Sequence, residues 1–343
     1  MAGHSHEHSD SHDDAHGHSH GNGGHGHTHG AIDPSITTSE RGIWAIKWSF
    51  VGLFITALIQ IIVFYFSRRV GLLADTIHNF GDAATAIPLW VAFVLSRWKP
   101  SRRFTYGYGR VEDLAGVAIV LTITFSAIVA GYETVQRFLH PQPLTYLWAV
   151  MIASVVGFIG NEAVAVFRIK VGKEIQSAAL VADGYHARVD GWTSLAVLFG
   201  ALGVWFGYPL ADPIVGLLIT LAIVQIVWQS TKAVFTRMLD GVEPELVEEI
   251  RHAAGHVEGV ARVTEVRARW LGHRLQAELN IAVASNLPVR RGHEIAKEVR
   301  HEMMHHLSYL SSVVIHVDPV EEAGEEFHHI AEHIHDDLPV HSH

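Results

Sequence analysis

The sequence predicts an α-helical membrane protein, a bundle of six transmembrane helices followed by a small α+β domain of ferredoxin-like order, αββαβ. Three observations predict it. Six apolar stretches, roughly 43–66, 71–96, 111–136, 145–168, 177–206 and 210–231, are each long enough to cross a bilayer, which takes about 20 residues. Residues 240–319 then change to short amphipathic segments. Two of the apolar stretches repeat one ionisable pattern: 72–85 reads LLADTIHNFGDAAT and 180–193 reads LVADGYHARVDGWT.

In chain order, residues 1–40 are expected to form a disordered His-rich tail. Ten of the 27 histidines fall in residues 1–30, among Gly, Ser and Asp, with nothing apolar to build a core. Weak, exchangeable metal capture and a merely solvated tail both stay open for it. No basic-then-apolar leader precedes the first stretch, which is expected to act as its own insertion signal. Residues 41–235 form the predicted membrane domain. Arg97, Lys99, Arg102, Arg103 and Arg110 follow the second stretch, and Arg168, Lys170 and Lys173 follow the fourth. The opposite connections hold Arg68, Arg69 and Arg137. The positive-inside rule then places both termini in the cytoplasm, with a bacterial inner membrane as the expected host.

In residues 240–319, Glu245–Ala254 is amphipathic, with Leu246, Ile250 and Ala253 on one face. Val260–Leu271 and Arg274–Ala284 read as strands, the second alternating Leu275, Ala277, Leu279, Ile281 and Val283 with polar residues. Pro288 to Leu307 is a helix with Ile295, Val299 and Met303 inward, and Ser312–Val317 is a third strand. Residues 320–343 form an acidic, His-rich tail.

The repeated pattern places His78 and Asp82 four apart in one stretch and His186 and Asp190 four apart in another. That spacing is one face of a helix. Two such helices facing each other offer two imidazoles and two carboxylates to one point, the four-ligand set of a tetrahedral Zn²⁺ site. An ionisable group inside a membrane costs about 3 kcal/mol on insertion scales, so it usually marks an ion or proton pathway. Mutual pairing that only ties helices together is the bland alternative. Asp75 and Asp183 precede their histidines by three and share their face; extra ligands and proton carriers stay open for them, with a place behind the ligands, as outer-shell acceptors, the expected one. Arg188 is expected to face headgroups or pair with a carboxylate. On the last two strands, Glu278, His316 and Asp318 share the outward face, a candidate second metal site or a solvated polar face.

These residues resemble the cation diffusion facilitator family, over roughly 40–320. The resemblance rests on LLADTIHNFGD, ADGYHARVD, YGYGRVEDLAG, ADPIVGLLI and VVIHVDP. It implies a six-helix homodimer that exports divalent metals in exchange for protons, with a cytoplasmic ferredoxin-like domain. It implies a transport site of His78, Asp82, His186 and Asp190, in the form of the zinc-carrying members. It also implies an interdomain charge pair between Arg110 and Asp240. Phe104 and Tyr108 stand where many members carry loop histidines, and Thr264 and Glu278 where some carry histidines in the soluble domain.

The expected partners are therefore Zn²⁺, protons, the lipid bilayer and a second copy of the chain. Cd²⁺, Co²⁺, Mn²⁺, Fe²⁺ and Ni²⁺ stay open as cargo. The net charge of −10 argues against nucleic acid, and the absence of cysteine excludes thiolate ligands. No enzyme is expected. Two rivals stay open: a membrane metal sensor that binds without transporting, and residues 301–305, HEMMH, which fit the HExxH pattern of zinc metalloproteases, although His301 and His305 fall on the solvated side of their helix.

Overall fold

The computed structural model describes residues 34–67, 86–139, 147–208 and 210–324. Helix α1 is Pro34–Ser67, α2 is Ala86–Ser96, α3 is Arg110–Leu139, and α4 is Leu147–Glu174. Helix α5 is Ala178–Trp205 and α6 is Ala211–Met238. Among the described residues, α1, α3, α4 and α6 are long and apolar enough to cross a membrane. At 1.5 Å per residue, the 28 residues of α4 or α6 extend about 42 Å, beyond the roughly 30 Å hydrocarbon layer. Helix α5 is equally long, but Asp183, Arg188 and Asp190 interrupt its apolar character.

The outside of this bundle is apolar. Leu218, Leu221 and Trp228 of α6 stand 60–71% exposed. A row of large apolar side chains turned outward fits a hydrocarbon surrounding, because water would penalise it. Inside, small residues let backbones approach. A Cβ at Gly184 on α5 would stand 2.7 Å from Ile169 Cγ1 and 2.9 Å from Ile169 N on α4, so only glycine permits this crossing.

The fourth apolar stretch does not end at Arg168 as expected. Helix α4 continues to Glu174, and Arg168 is 1% exposed within it. It therefore adds no loop charge to the topology argument. The helix goes on because Ile169, Val171 and Gly172 keep packing against the rest of the bundle.

The C-terminal domain follows as α7 (Pro244–Gly255), β1 (Arg262–Leu271), β2 (Arg274–Val283), α8 (Val289–His306) and β3 (Leu310–Pro319). The sheet order is β1-β2-β3, with β1–β2 antiparallel and β2–β3 parallel. The parallel pair needs a crossover, and α8 supplies it. Ile295, Val299 and Met303 of α8, spaced four apart, are at most 1% exposed and pack on Leu275, Leu279 and Ile281 of β2. Each such side chain contributes about 1.5–3 kcal/mol. Leu271 pairs with Arg274 across a two-residue turn whose first residue, Gly272, has φ 63°, a conformation that favours glycine there.

Candidate metal centre

Helix α5 sits against α3, α4 and α6. Its N-terminus is fixed by Ser177, whose hydroxyl accepts from Leu180 N at 3.1 Å, a side-chain cap of a free N–H. Along its first half, Asp183, His186 and Asp190 are 0%, 1% and 4% exposed. His186 Nδ1 and Asp190 Oδ2 stand 3.7 Å apart. That is too long for a hydrogen bond and close to the roughly 3.4 Å ligand–ligand edge of a tetrahedron with metal–ligand bonds of about 2.0–2.1 Å. The Asp190 carbonyl accepts the hydroxyls of Thr193 at 2.8 Å and Ser194 at 3.1 Å.

Asp75, His78 and Asp82 lie outside the described residues, so half of the expected quartet is not placed. Among the described residues, no group of three or more His, Cys, Asp or Glu side chains could hold a metal.

Asp183 turns to a cation of the protein itself. Arg168 Nη1 on α4 lies 2.9 Å from Asp183 Oδ2, with both side chains at most 1% exposed. Among the described residues, neither Asp183 oxygen makes an aligned hydrogen bond, so charge rather than geometry holds the pair. Nearby, Arg188 Nη2 donates to Glu162 Oε1 at 2.8 Å and its Nε to Oε2 at 3.3 Å. Two ion pairs thus join α4 to α5, with the arginine on α4 in one and on α5 in the other.

A cavity of about 370 Å³ opens beside Asp190. Gln60, Ser126, Glu133, Ser154, Ser194 and Asp212 are among its lining residues. It lies in the half of the bundle away from the C-terminal domain, since it takes the C-terminal part of α3 and the N-terminal part of α6. Polar groups at membrane depth are tolerated where they line water.

In the C-terminal domain, His316 Nε2 lies 2.8 Å from Asp318 Oδ1. Glu278 pairs in register with Val314, two positions before His316 on β3. The three share a face by register. Asp318, however, is 4% exposed, a departure from the outward, open position expected of it. Arg110 forms ion pairs with Asp240 and, at 3.5 Å, with Asp113. Asp240 has φ 61°, just beyond the end of α6, a left-handed position that Asp tolerates better than most residues. On α8, Glu302 pairs with His306 at 3.1 Å, and His301 and His305 are exposed, with ring centroids 4.4 Å apart.

Sequence reasoning missed three residues. Arg168 shares a helical spacing with Asn161, Ala165 and Gly172, all of them buried, but that spacing does not reveal the carboxylate it meets. Glu112 and His273, which meet at 2.6 Å with both side chains 1% exposed, carry no local signal, being 161 residues apart.

Comparison with known proteins places both parts of the chain in one family. Residues 46–239 match the family described as "Cation efflux transmembrane domain", and residues 242–320 match "Cation efflux protein, cytoplasmic domain". A probable cation efflux system protein of Mycobacterium tuberculosis is 50% identical over 291 residues, covering 85% of this chain and 88% of its own. The manganese efflux system protein MneP of Bacillus subtilis is 26% identical, covering 72% of this chain and 85% of its own. A solved structure of the MamM CTD in its manganese form is 29% identical over 22% of this chain and 99% of its own, with a TM-score of 0.22. The transmembrane match alone spans more than half of the sequence and contains α5 with its buried histidine and aspartates, so the chain belongs to the cation efflux, or cation diffusion facilitator, family.

Proposed function

We propose that this cation efflux transporter exports Zn²⁺ from the cytoplasm in exchange for protons. It works as a homodimer in which each chain crosses a bacterial inner membrane six times, with both termini cytoplasmic. His78, Asp82, His186 and Asp190 hold the ion within a transport domain of residues 41–235, and residues 240–319 form the cytoplasmic domain. The observation that carries the reading is the buried His186 facing Asp190 at 3.7 Å, on a helix whose motif recurs around His78 and Asp82. Two carboxylates cancel the 2+ charge, so the loaded site is close to neutral inside a low-dielectric bundle. Two imidazoles suit borderline ions such as zinc better than hard ones. Imidazole binds metal only when neutral, and its unperturbed pKa is about 6.5. Protons and metal therefore compete for the same nitrogens, and with alternating access that competition becomes exchange. Such a site moves a cation without covalent change, which leaves no role for HEMMH as a hydrolase.

The test is zinc flux in proteoliposomes. Zinc movement is expected to be driven by an opposing pH gradient and to dissipate it; zinc flux indifferent to the gradient would remove the exchange. Manganese is the second reading, favoured by the 26% identity to a manganese efflux protein. Competition among Zn²⁺, Mn²⁺ and Cd²⁺ in the same vesicles decides between them.

The cavity beside Asp190 supports release on the side away from the cytoplasmic domain. Because the chain has no cysteine, Ser194→Cys introduces a single thiol. It is expected to react with a charged, membrane-impermeant thiol reagent, and zinc should slow the reaction severalfold. Leu218→Cys, on the apolar outer surface, should stay unreactive. An inert Ser194→Cys would mean that the cavity is not a water path.

A further inference from the structure

The tip of the β1–β2 hairpin is sunk into the membrane domain. Gly272 N donates to Asp113 Oδ2 and His273 N to Glu112 Oε2, both at 3.3 Å. His273 Nδ1 lies 2.6 Å from Glu112 Oε2, and its Nε2 lies 3.1 Å from Ser39 Oγ on α1. The imidazole also packs against Phe93 of α2, with ring centroids 5.6 Å apart. The other oxygen of Glu112, Oε1, accepts the Ser177 hydroxyl at 2.5 Å.

Ser177 is the N-cap of α5. A hydroxyl has one hydrogen and two acceptor sites. With that hydrogen given to Glu112, a lone pair is left facing Leu180 N. The cap geometry of the metal-bearing helix is thus set by Glu112, and Glu112 is set by the hairpin. From Ser177 to His186 is nine residues, about 14 Å of helix. A buried polar network with every member engaged is rigid and specific, and this one joins α1, α3, α5 and the C-terminal sheet at a single point.

We propose that the hairpin tip is a coupling latch: through His273, Glu112 and Ser177 the cytoplasmic domain fixes the N-terminal turn of α5 and so controls the movement of His186 and Asp190. The latch rests on the reading of α5 as the transport helix. His273 acts through Glu112 and Ser177 rather than on the ion, so it is a positioning residue. When the cytoplasmic domain shifts, the hairpin carries the shift to α5 directly, without passing through the exposed Arg110–Asp240 pair.

The test uses the full-length protein in proteoliposomes, with hydrogen exchange read at the amides of residues 178–183. His273→Ala is expected to lower the maximal zinc transport rate at least fivefold, to leave the half-saturating zinc concentration within twofold, and to speed exchange at 178–183 at least tenfold. His273→Asn keeps a donor where Nδ1 stands and is expected to stay within twofold of the unsubstituted protein in both rate and exchange. Should His273→Ala fail to fold, Ser177→Ala, which leaves the hairpin untouched, is expected to give the same slow transport and fast exchange. Unchanged exchange and rate in His273→Ala or Ser177→Ala, or an Asn variant as impaired as the Ala variant, overturns the latch. A wild-type protein that carries no metal removes the transport reading instead, and the exchange measurement then decides the latch alone.

Discussion

Asp190→Ala is expected to abolish metal transport while the protein still inserts and assembles. The carboxylate does two things at once in the proposed site. It supplies one of four bonds to the ion, and it supplies half of the negative charge that lets a 2+ ion rest among apolar helices. Losing an outer-shell partner of a metal site already costs about 10–100-fold, so losing an inner ligand should cost more than about 100-fold in transport rate. The fold has less reason to suffer. Asp190 reaches Thr193 and Ser194 through its backbone carbonyl, which alanine retains, and the close approach of α5 to α4 at Gly184 is untouched by the substitution. Flux per reconstituted protein, set beside size-exclusion profiles, makes the measurement. Transport above about a tenth of wild type would mean that the ion is held elsewhere.

The domain that reads most clearly from sequence is the soluble one, because its elements are short and each declares its period. Leu275, Ala277, Leu279, Ile281 and Val283 alternate and are all buried; Ile295, Val299 and Met303 recur every four and are buried too. The β3 strand extends beyond Ser312–Val317 to Leu310–Pro319 because pairing with β2 continues past the apolar run. The described membrane helices overlap the apolar stretches read from sequence but differ from them in extent. Apolar content says where lipid is, whereas α4 runs on to Glu174 because a protein surface, not lipid, receives its last turns. The candidate site divides the same way. His186 and Asp190 are visible as a spacing, since a helix converts four residues into one face. The partner of Asp183 is not visible, since a lone Arg168 at the end of an apolar run looks the same whether it meets headgroups or a buried carboxylate. The Glu112–His273 contact is less visible still: it is created by the docking of two domains, and nothing within either segment hints at the other.

Arg168→Met is expected to lower stability sharply. Removing one partner of a buried ion pair leaves the other charge uncompensated, at a cost of about 3–5 kcal/mol. Asp183 is fully buried, and neither of its oxygens makes an aligned hydrogen bond among the described residues, so no described neighbour takes over from the guanidinium. At roughly 2–4 °C per kcal/mol, the melting midpoint in detergent should fall by about 10 °C. The pair itself is a weak source of net stability, because two desolvated charges repay each other only in part. Arg168→Met combined with Asp183→Leu should therefore recover most of the loss. The functional cost should not be recovered in parallel. Asp183 stands one turn before His186, and while Arg168 engages it, it is withheld from the ion; freeing it by Arg168→Met alone adds a third carboxylate beside a site whose charge two already balance. Zinc should then bind more tightly and leave more slowly, so that turnover falls while the half-saturating concentration falls with it. A single variant as stable as wild type, or a double variant no better than the single, would place the strength of the α4–α5 contact in the glycine-mediated approach of the backbones and not in this charge pair.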